Sequence, residues 1–438
     1  MDQLKAYILF PGARKNALYE GWLDELPLSV EIVREYSIDW MPPADAGILI
    51  THNHYRWEEI SILRRVVEQT SVPVLILVDG ILEYRNSFEH DDLADGTMFQ
   101  PLIGHKVACI GNSQTRWLEA LGNTGKCEVV GIPRLDDFAQ SASKEPDTAG
   151  TFRLLVASAR TPWFNEQQRE ETHHAVESVK RTLDQTARLN GKPMQVTWRM
   201  AESLHANVGV PGYERRPPPI KQILEQVDAV ITTPSTLQLE AAMHGLPVAV
   251  LDLHNRPQMT PMAWNINTAS QIAQVLEELA SPPTAMRFVQ ETLLADALQM
   301  VDAAAPRMAK LAGKMVEAGK LARESGNPIE LPARILEPPC DGMMPAQPAG
   351  TTQSLFPANP VFRNESISRL QTELSAAIHE MGNYPEKYFD QRTANQKLRG
   401  YINWLRLLVR NRAATVEELA ATVHRLSGDR NDRPVKDD

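Results

Sequence analysis

The sequence predicts an α/β protein with two domains, each built on a parallel β-sheet, followed by a helical extension. Short apolar runs bounded by turns alternate with amphipathic helical segments, a pattern typical of parallel strands that helices cover on both faces. The alternation occurs twice, on either side of a small, polar, turn-prone stretch at 139–150. A chain of 438 residues is also longer than one hydrophobic core usually serves.

The first alternation predicts a Rossmann-like domain over residues 1–140. Its apolar runs are "AYILF", "AGILITH", "PVLILVDG" and "KVACIG", and helical segments such as "RWEEISILRRVVEQT" separate them. The domain ends near "CEVVGIPRLDDF".

The second alternation predicts another Rossmann-like domain, over residues 151–325. Its strands are "TFRLLVASA", "MQVTWRM", "DAVITT" and "PVAVLD", with helices over about 165–189 and from 219. Residues 326–362 are rich in Pro, Gly and Met and predict a linker. Residues 363–438 predict a helical extension whose last dozen residues fray.

Composition excludes several classes of function. The net charge of -10 argues against nonspecific nucleic-acid binding. The three cysteines, Cys109, Cys127 and Cys340, are widely spaced and indicate neither a disulfide framework nor a zinc site. The apolar run near the N-terminus is too short for a signal peptide, and no apolar run approaches the ~20 residues of a membrane span. We therefore expect a cytoplasmic protein, and leave open whether it forms a homo-oligomer.

The stretch "VITTPSTLQLEAAMHGLPVAVLD", residues 230–252, carries the clearest functional signal. It predicts a buried strand, a hydroxyl-rich turn, a helix and a second strand. Thr233 is a suitable N-cap, Pro234 fits the first helical turn, and Ser235 and Thr236 add hydroxyls beside unpaired backbone donors. The pattern predicts an anion site at the carboxyl end of a strand, with an ordinary capped helix as the alternative.

Glu240 strengthens the interpretation as an anion site. It follows Thr236 by four residues, so both side chains lie on the same helical face. A phosphate cradle next to a carboxylate that accepts hydrogen bonds from a ribose describes a nucleotide site.

At these residues the sequence resembles a family. "DAVITTPSTLQLEAAMHGLPVAVLD" resembles the donor-nucleotide motif of GT-B glycosyltransferases and of the related non-hydrolysing sugar-nucleotide epimerases. The resemblance implies that Glu240 binds the ribose and that Ser235 and Thr236 contact phosphate. "HKVACIGNSQTRWLEALGNTGKCEVVGIPRLDDF" is similar to the end of a GT-B N-terminal domain. The turn "TTPST" departs from the tandem-serine or Gly-rich turn that is common in the family.

Metal-independent chemistry is expected. Glycosyltransferases of the other major fold need a D-x-D sequence to hold a divalent metal, and this chain contains none. We therefore predict no cofactor, with a nucleotide sugar as substrate. "LVDGILEYRN" is similar to the Asp-Gly turn of bacterial capsule and O-antigen Kdo transferases, which implies CMP-Kdo as donor and UDP-sugars as the alternative.

Catalytic candidates lie at the predicted carboxyl ends of strands. Asp79 follows "PVLILV", with Glu83 and Arg85 on the same loop, although Asp-Gly is also a plain turn signal. In a double displacement Glu166 is the nearest carboxylate on its loop to act as nucleophile, which the amide of Asn165 cannot do. The alternative is that Asn165 caps the following helix and Glu166 occupies its first turn.

Other candidates follow "MQVTW" and "GILI". Arg199 is suited to a sugar carboxylate or phosphate, His205 to proton donation, and Glu202 to substrate binding. His52 and His54 are candidates for acceptor contact, because two histidines alone are not a metal site. For each of these residues the alternative is an ordinary surface position.

The extension contains "QKLRGYINWLRLLVRNR", residues 396–412. Apolar residues from Leu398 to Val409 recur at helical spacing, and three arginines lie largely opposite them. This pattern predicts either an interfacial helix on the inner membrane or a helix that packs against its own domain or a partner subunit.

Together these features predict a metal-independent GT-B glycosyltransferase of bacterial surface polysaccharide synthesis (lipopolysaccharide, O-antigen or capsule). It would move Kdo from CMP-Kdo to a glycan or lipid-linked acceptor. The alternatives are a sugar-nucleotide epimerase, a CDP-polyol phosphotransferase, and a non-catalytic nucleotide-binding subunit, which the amide of Asn165 keeps open.

Overall fold

The computed structural model describes most of the first 337 residues. The described ranges are 4–10, 21–52, 54–78, 80–91, 93, 98–99, 102–136, 138, 150–210, 217–254 and 256–337. All of them belong to one compact unit formed by residues 1–93 and 97–355. A second unit, 94–96 and 356–438, lies outside the described residues, as do Asp79, Cys340 and the predicted helical extension.

The first sheet has six parallel strands in the order β2-β1-β3-β4-β5-β6. They are β1 (Lys5–Leu9), β2 (Ser29–Val33), β3 (Ala46–Thr51), β4 (Val74–Leu77), β5 (Lys106–Cys109) and β6 (Cys127–Val129). The helices between them are α1 (Trp57–Gln69), α2 (Tyr84–Glu89) and α3 (Asn112–Ala120).

The second sheet has the order β12-β11-β10-β7-β9-β8 and is parallel except for the short pairing of β8 with β9. Its strands are β7 (Phe152–Ala157), β8 (Arg188–Leu189), β9 (Lys192–Arg199), β10 (Ala229–Thr232), β11 (Val248–Leu251) and β12 (Trp264–Ile266). The helices that follow β7 are α4 (Glu166–Gln185), α5 (Glu202–Val208), α6 (Ile220–Leu224), α7 (Leu237–Met243), α8 (Ile272–Ala280), α9 (Thr284–Ala297) and α10 (Ala304–Ser325).

Burial explains why the apolar runs form central strands. Every residue of β3, β4, β5, β10 and β11 is buried, as expected for strands with helices on both faces. Strand β9 instead exposes Gln195 and Thr197 along one face, while Val196 and Trp198 pack into the core on the other. The predicted two-domain α/β fold is confirmed.

The strand order locates the switch points at which ligands bind in such folds. If β8 is set aside, each sheet has its first strand next to its third, as in the 2-1-3-4-5 doubly wound order. The order in which the chain adds strands therefore changes direction between β1 and β3 in the first sheet, and between β7 and β10 in the second. In open α/β sheets the crevice beyond the carboxyl ends of these strands is where ligands bind.

Helix α10 belongs to the first core although it falls within the predicted range 151–325. Its buried residues Met308 and Leu311 pack with Ile48 and Leu75 of the first sheet. A Cβ at Gly319 would lie 2.7 Å from Pro73 Cδ, so this helix approaches the first sheet closely. A sequence pattern cannot show this packing, because it records which face is apolar and not which sheet covers it.

The first part of the predicted linker, up to residue 337, is anchored to the first domain. Leu336 is buried in the same core as α10. The carboxylate of Glu128 accepts hydrogen bonds from the backbone N–H groups of Ile335 (2.8 Å) and Leu336 (3.0 Å).

Cys109 and Cys127 are buried free thiols. Burial raises the pKa of the Cys109 thiol well above its ordinary value, so it is protonated at neutral pH. Among the described helices, none combines the length and apolar character that crossing a bilayer requires.

Candidate functional site

The carboxyl ends of the two sheets meet at a crevice. Gly80, in the turn after β4, lies against Thr236, in the turn after β10. A Cβ at Gly80 would lie only 2.1 Å from Thr236 Oγ1, and the glycine has a φ of +135°. Glycine is therefore the residue that fits this position, and the two turns are in direct contact.

The hydroxyl-rich turn differs from its prediction in one respect. Helix α7 begins at Leu237 with Thr236 as its N-cap residue, so Thr233 is not the N-cap and Pro234 precedes the helix. Thr233 Oγ1 instead accepts a hydrogen bond from the backbone N–H of Ala159 (2.8 Å), which follows β7. Thr233 thus ties together the two strand ends that form the switch point of the second sheet.

The same turn gathers further hydroxyl groups. Thr232 Oγ1 donates to the carbonyl oxygen of Thr233 (2.9 Å) and lies 3.3 Å from Ser235 Oγ. Helical hydrogen bonding starts at this point, since the N–H of Glu240 donates to the carbonyl oxygen of Thr236 (3.2 Å). Phosphate contact by Ser235 and Thr236 stays a prediction.

Glu240 and Arg134 connect the two sequence motifs across the crevice. The residue Glu240 is 5% exposed, and its Oε1 accepts a hydrogen bond from Arg134 Nη1 (2.5 Å). Arg134 lies in the short 3-10 turn Pro133–Leu135 of the first domain, within "GIPRLDDF". The sequence gives no sign that the two motifs meet, whereas in the structure Arg134 of one and Glu240 of the other form an ion pair.

Asp136, in the same motif, anchors the last helix of the unit. Its carboxylate oxygens accept hydrogen bonds from the backbone N–H groups of Ala304 (2.8 Å) and Ala305 (2.9 Å). These are the first residues of α10, where an acidic group satisfies unpaired donors. The motif that contains Arg134 is therefore hydrogen-bonded to α7 through Glu240 and to α10 through Asp136.

Arg199 and His205 line one cavity of about 590 Å³ between β9 and α6. Arg199 Nη1 donates to the carbonyl oxygen of Pro218 (2.6 Å). Burial lowers the pKa of Arg199, and the negative charge of Glu240 partly opposes that shift. Glu202 is exposed at the start of α5 and does not line this cavity.

Asn165 and Glu166 adopt the capping arrangement that was the alternative to catalysis. Asn165 is the N-cap of α4, and its Oδ1 accepts a hydrogen bond from the N–H of Gln168 (2.9 Å). The Glu166 side chain is 67% exposed and forms an ion pair with Arg169. A nucleophilic role for Glu166 stays a prediction.

His52 and His54 follow β3, at the switch point of the first sheet. The His52 ring lies 5.5 Å from the Phe10 ring, and the buried His54 ring lies 5.1 Å from that of Phe99. Burial, together with the neighbouring His54, lowers the pKa of His52 to about 4; burial lowers that of His54 to about 4 as well. Both rings are therefore neutral at pH 7. Within the described part of the chain, no three His, Cys, Asp or Glu side chains are grouped to hold a metal.

Arg85 points across the crevice into the second domain. Its side chain is 2% exposed, pairs with Glu83, and places Nη1 2.7 Å from Nε2 of His254. Burial raises the pKa of Glu83 to about 7, although Arg85 lowers it in part. Arg85 therefore lies in the crevice, as a substrate-binding residue must, and its contact with substrate stays a prediction.

Glu171, His254 and Arg256 lie in this crevice and, like Arg134, are absent from the predicted site residues. His254 Nδ1 is hydrogen-bonded to the Glu171 carboxylate, and Arg256 Nη1 donates to the same carboxylate (2.9 Å). Arg256 Nε also contacts Glu89 of the first domain (2.7 Å). The signal for His254 and Arg256 was their place after "PVAVLD", at the carboxyl end of β11, whereas nothing in the helical pattern distinguishes Glu171.

Comparisons with known proteins give likenesses of structure only. No protein-family model matches the chain, and no curated protein matches it. The wall teichoic acid polymerase TagF is 12% identical with a TM-score of 0.44, over 72% of this chain and 89% of that one. Staphylococcus aureus MnaA, solved with UDP, is 11% identical with a TM-score of 0.49, over 72% and 97%. The UDP-GlcNAc 2-epimerase of Methanocaldococcus jannaschii, solved with UDP-GlcNAc and UDP, is 10% identical with a TM-score of 0.49, over 71% and 100%. At identities and TM-scores this low, none of these likenesses identifies what the chain binds.

Proposed function

We propose that the chain is a metal-independent GT-B glycosyltransferase that transfers a sugar from a nucleotide sugar to a glycan or lipid-linked acceptor in bacterial surface polysaccharide synthesis. The observation that carries the proposal is Glu240, a nearly buried carboxylate beside the switch point of the second sheet, held by Arg134 of the other domain. Ligands of doubly wound sheets bind at this point.

The geometry around Glu240 suits a ribose and its phosphate. A carboxylate has about four lone-pair positions, and among the described residues Arg134 is the one side chain that hydrogen-bonds to this carboxylate. A ribose diol would donate to the remaining positions. Arg134 is 29% exposed, so its guanidinium is accessible to a phosphate group at the same place.

The donor proposed first is CMP-Kdo. Support comes from the sequence resemblance of "LVDGILEYRN" to Kdo transferases. In this assignment Arg199, which ends β9 and lines the cavity there, binds the carboxylate of the sugar. His205 lines the same cavity and is the proton donor.

A turnover assay on the full chain tests the proposal. CMP-Kdo is offered with a glycan acceptor in the presence of EDTA, and release of CMP is followed. We expect CMP release that EDTA leaves unchanged and that Glu240→Ala lowers at least about tenfold, the effect of one lost charged hydrogen bond of ~1.4 kcal/mol or more. Glu277→Ala, a change of an exposed glutamate on α8, is the matched control and should not alter the rate.

Parallel substrates separate the alternatives. An epimerase would convert UDP-GlcNAc without any acceptor, and a polyol-phosphate transferase would release CMP from CDP-glycerol. Nucleotide binding without turnover of any donor would identify a non-catalytic subunit. EDTA-sensitive release would overturn the metal-independent mechanism.

The proposed location is the cytoplasmic face of the inner membrane, where residues 396–412 would provide peripheral contact. This segment lies outside the described residues, and its pattern of apolar and basic residues supports the proposal. Flotation with anionic liposomes should recover the full chain and leave a chain ending at residue 362 in solution. Equal partitioning of the two would contradict membrane contact.

A further inference from the structure

His254 lies between the two domains at the carboxyl end of β11. Its side chain is 3% exposed. On one side Nδ1 is hydrogen-bonded to the carboxylate of Glu171 in α4. On the other side Nε2 lies 2.7 Å from Nη1 of Arg85, which belongs to α2 of the first domain.

These two partners fix the protonation state of the imidazole. A guanidinium offers only N–H donors, so the nitrogen facing Arg85 must carry a lone pair. The ring proton is then on Nδ1, which donates it to Glu171. Burial opposes ionisation of Glu171, but hydrogen bonds from His254, Gln167 and Arg256 outweigh it and lower its pKa to about 2. The observed contact with Arg85 therefore requires a neutral His254.

A second proton on His254 would face Arg85, and the described residues offer it no strong acceptor. It would place an N–H donor against Arg85 at 2.7 Å, in a buried position where two like charges repel strongly. Thr172 Oγ1 donates to the Pro162 carbonyl oxygen (3.3 Å) and keeps a lone pair for Nε2, but at 3.4 Å it would be a weak acceptor that does not remove the repulsion from Arg85. Asp252 Oδ1, on the loop of His254 itself, lies 3.9 Å from Nε2 and is too distant for a hydrogen bond.

The charged groups around His254 shift its pKa in both directions. Burial and the charge of Arg85 lower the pKa of His254, and they outweigh Glu171 and Asp252, which raise it. Arg256 adds positive charge at Glu171, and Glu83 adds negative charge at Arg85. The net effect agrees with the hydrogen-bond geometry.

We propose that neutral His254 positions Arg85 across the crevice, and that adding a proton to this imidazole releases the contact and opens the crevice. This response to protonation goes beyond the proposed function, since it depends on no particular nucleotide or acceptor. Its sign follows from linkage: the closed arrangement binds fewer protons at His254 than the open one. The contribution of His254 to closure is therefore complete above pH 6.5, the ordinary pKa of histidine, and weakens as the pH falls below it.

Distance measurement between spin labels on the full chain tests the proposal. Labels are placed on exposed residues of the two domains, at Glu58→Cys in α1 and Glu277→Cys in α8, in a Cys340→Ser background. In the otherwise native chain we expect one short distance near pH 8. With Glu83→Gln also in place, which removes a carboxylate that titrates with the opposite sign, the ratio of long to short distances should rise by up to about tenfold per pH unit below 6.5.

Two substitutions at His254 make the result specific. Gln at this position can accept from Arg85 and donate to Glu171 without titrating, so His254→Gln should keep the short distance near pH 5 as well as near pH 8. His254→Ala should show the long distance at both. An unchanged distance in the Glu83→Gln chain down to about pH 5, or the same acid opening after His254→Gln is added to that chain, would overturn the proposal.

Glu83 provides the necessary control because it titrates with the opposite sign. Its raised pKa of about 7 means that the closed crevice takes up a proton at Glu83, which favours closure as the pH falls. Glu83→Gln removes this contribution and should leave acid opening intact or larger. Loss of acid opening in Glu83→Gln would assign the effect to Glu83 and overturn the role of His254.

Discussion

Two ion pairs that involve buried carboxylates lie in different parts of the molecule, one inside the first domain and one at the crevice. Lys106 is the first residue of β5 and Glu128 the middle residue of β6, and both side chains are 1% exposed. Arg134 and Glu240 lie at the crevice, with side chains 29% and 7% exposed. The first pair lies away from the edge at which doubly wound sheets bind ligands, and the second lies at it.

The pairs also differ in how fully they are hydrogen-bonded. Lys106 Nζ contacts Glu128 (2.8 Å) and the carbonyl oxygens of Gly125 (2.9 Å), Pro332 (2.7 Å) and Ala333 (3.0 Å). Glu128 in turn accepts from the backbone near residue 335. A saturated buried pair holds chain segments together, whereas an incompletely paired carboxylate at a ligand-binding edge retains capacity for a ligand.

The largest expected effect is on stability, at the saturated pair. Lys106→Met should lower the free energy of unfolding by about 3–5 kcal/mol, because it leaves Glu128 charged and buried without its partner. Lys314→Met, which breaks the exposed pair with Glu317, is the control and should cost about 0–1 kcal/mol. Urea unfolding measures both. Similar losses would show that the buried pair is not the anchor described here.

The next largest effect is the pH dependence of stability that His54 causes, at the crevice edge of the first sheet. His54 has its pKa lowered from 6.5 to about 4, so its stability contribution is present above pH 6.5 and is lost as the pH falls from 6.5 towards 4. The shift corresponds to at most about 3.5 kcal/mol, at ~1.4 kcal/mol per pKa unit. His54→Phe should flatten the acid side of the stability profile measured by urea unfolding. His174→Phe, at an exposed position, should not, and equal slopes in the two variants would contradict the assignment.

A smaller effect tests the contact between the two turns of the crevice. Gly80→Ala should cost about 1–3 kcal/mol, because its Cβ meets Thr236 Oγ1 and its φ is positive. Thr236→Ala in the same chain removes the atom that clashes and should restore part of the loss, leaving the strain of the backbone. Thermal or urea unfolding of the double-mutant cycle measures the coupling. Strict additivity would mean that the turns do not touch.

The smallest effect concerns Asn165. Asn165→Ala removes the cap of α4 and should cost about 1 kcal/mol. Glu166→Gln changes an exposed side chain and should alter stability by less than about 0.5 kcal/mol. Because Glu166 was also the candidate nucleophile, the same pair of variants is informative in the turnover assay. Loss of turnover in Glu166→Gln with unchanged stability would support its catalytic role.

The fold was predictable because the residues of each strand alone show whether that strand is buried on one face or on both. Continuous runs such as "AGILIT" and "VLIL" have no polar face, which identifies strands covered on both sides. The start of α7 was not predictable in the same way. Thr233 has the chemistry of an N-cap, but its hydroxyl is bound to Ala159, 74 residues earlier, and no local pattern reports that partner.

The site was predictable in part, for the same reason. Glu240 was found through its spacing from Thr236, whereas its ion pair with Arg134 joins residues 106 positions apart. His254 and Glu171 form their contact across 83 positions. The sequence located candidate residues at strand ends, but it could not show the contacts that join them to residues of other elements.

The measurement that tests the central claim most directly is calorimetric titration of CMP into the native full chain and into Glu240→Ala. If the nucleotide of the donor binds beside the switch point of the second sheet, the native chain binds CMP and the variant loses at least about tenfold in affinity, or ~1.4 kcal/mol. UDP, GDP and ADP in the same experiment report which base is preferred. Absence of binding by the native chain to all four nucleotides, or equal affinity of the two chains, would contradict the assignment of this crevice as a nucleotide site.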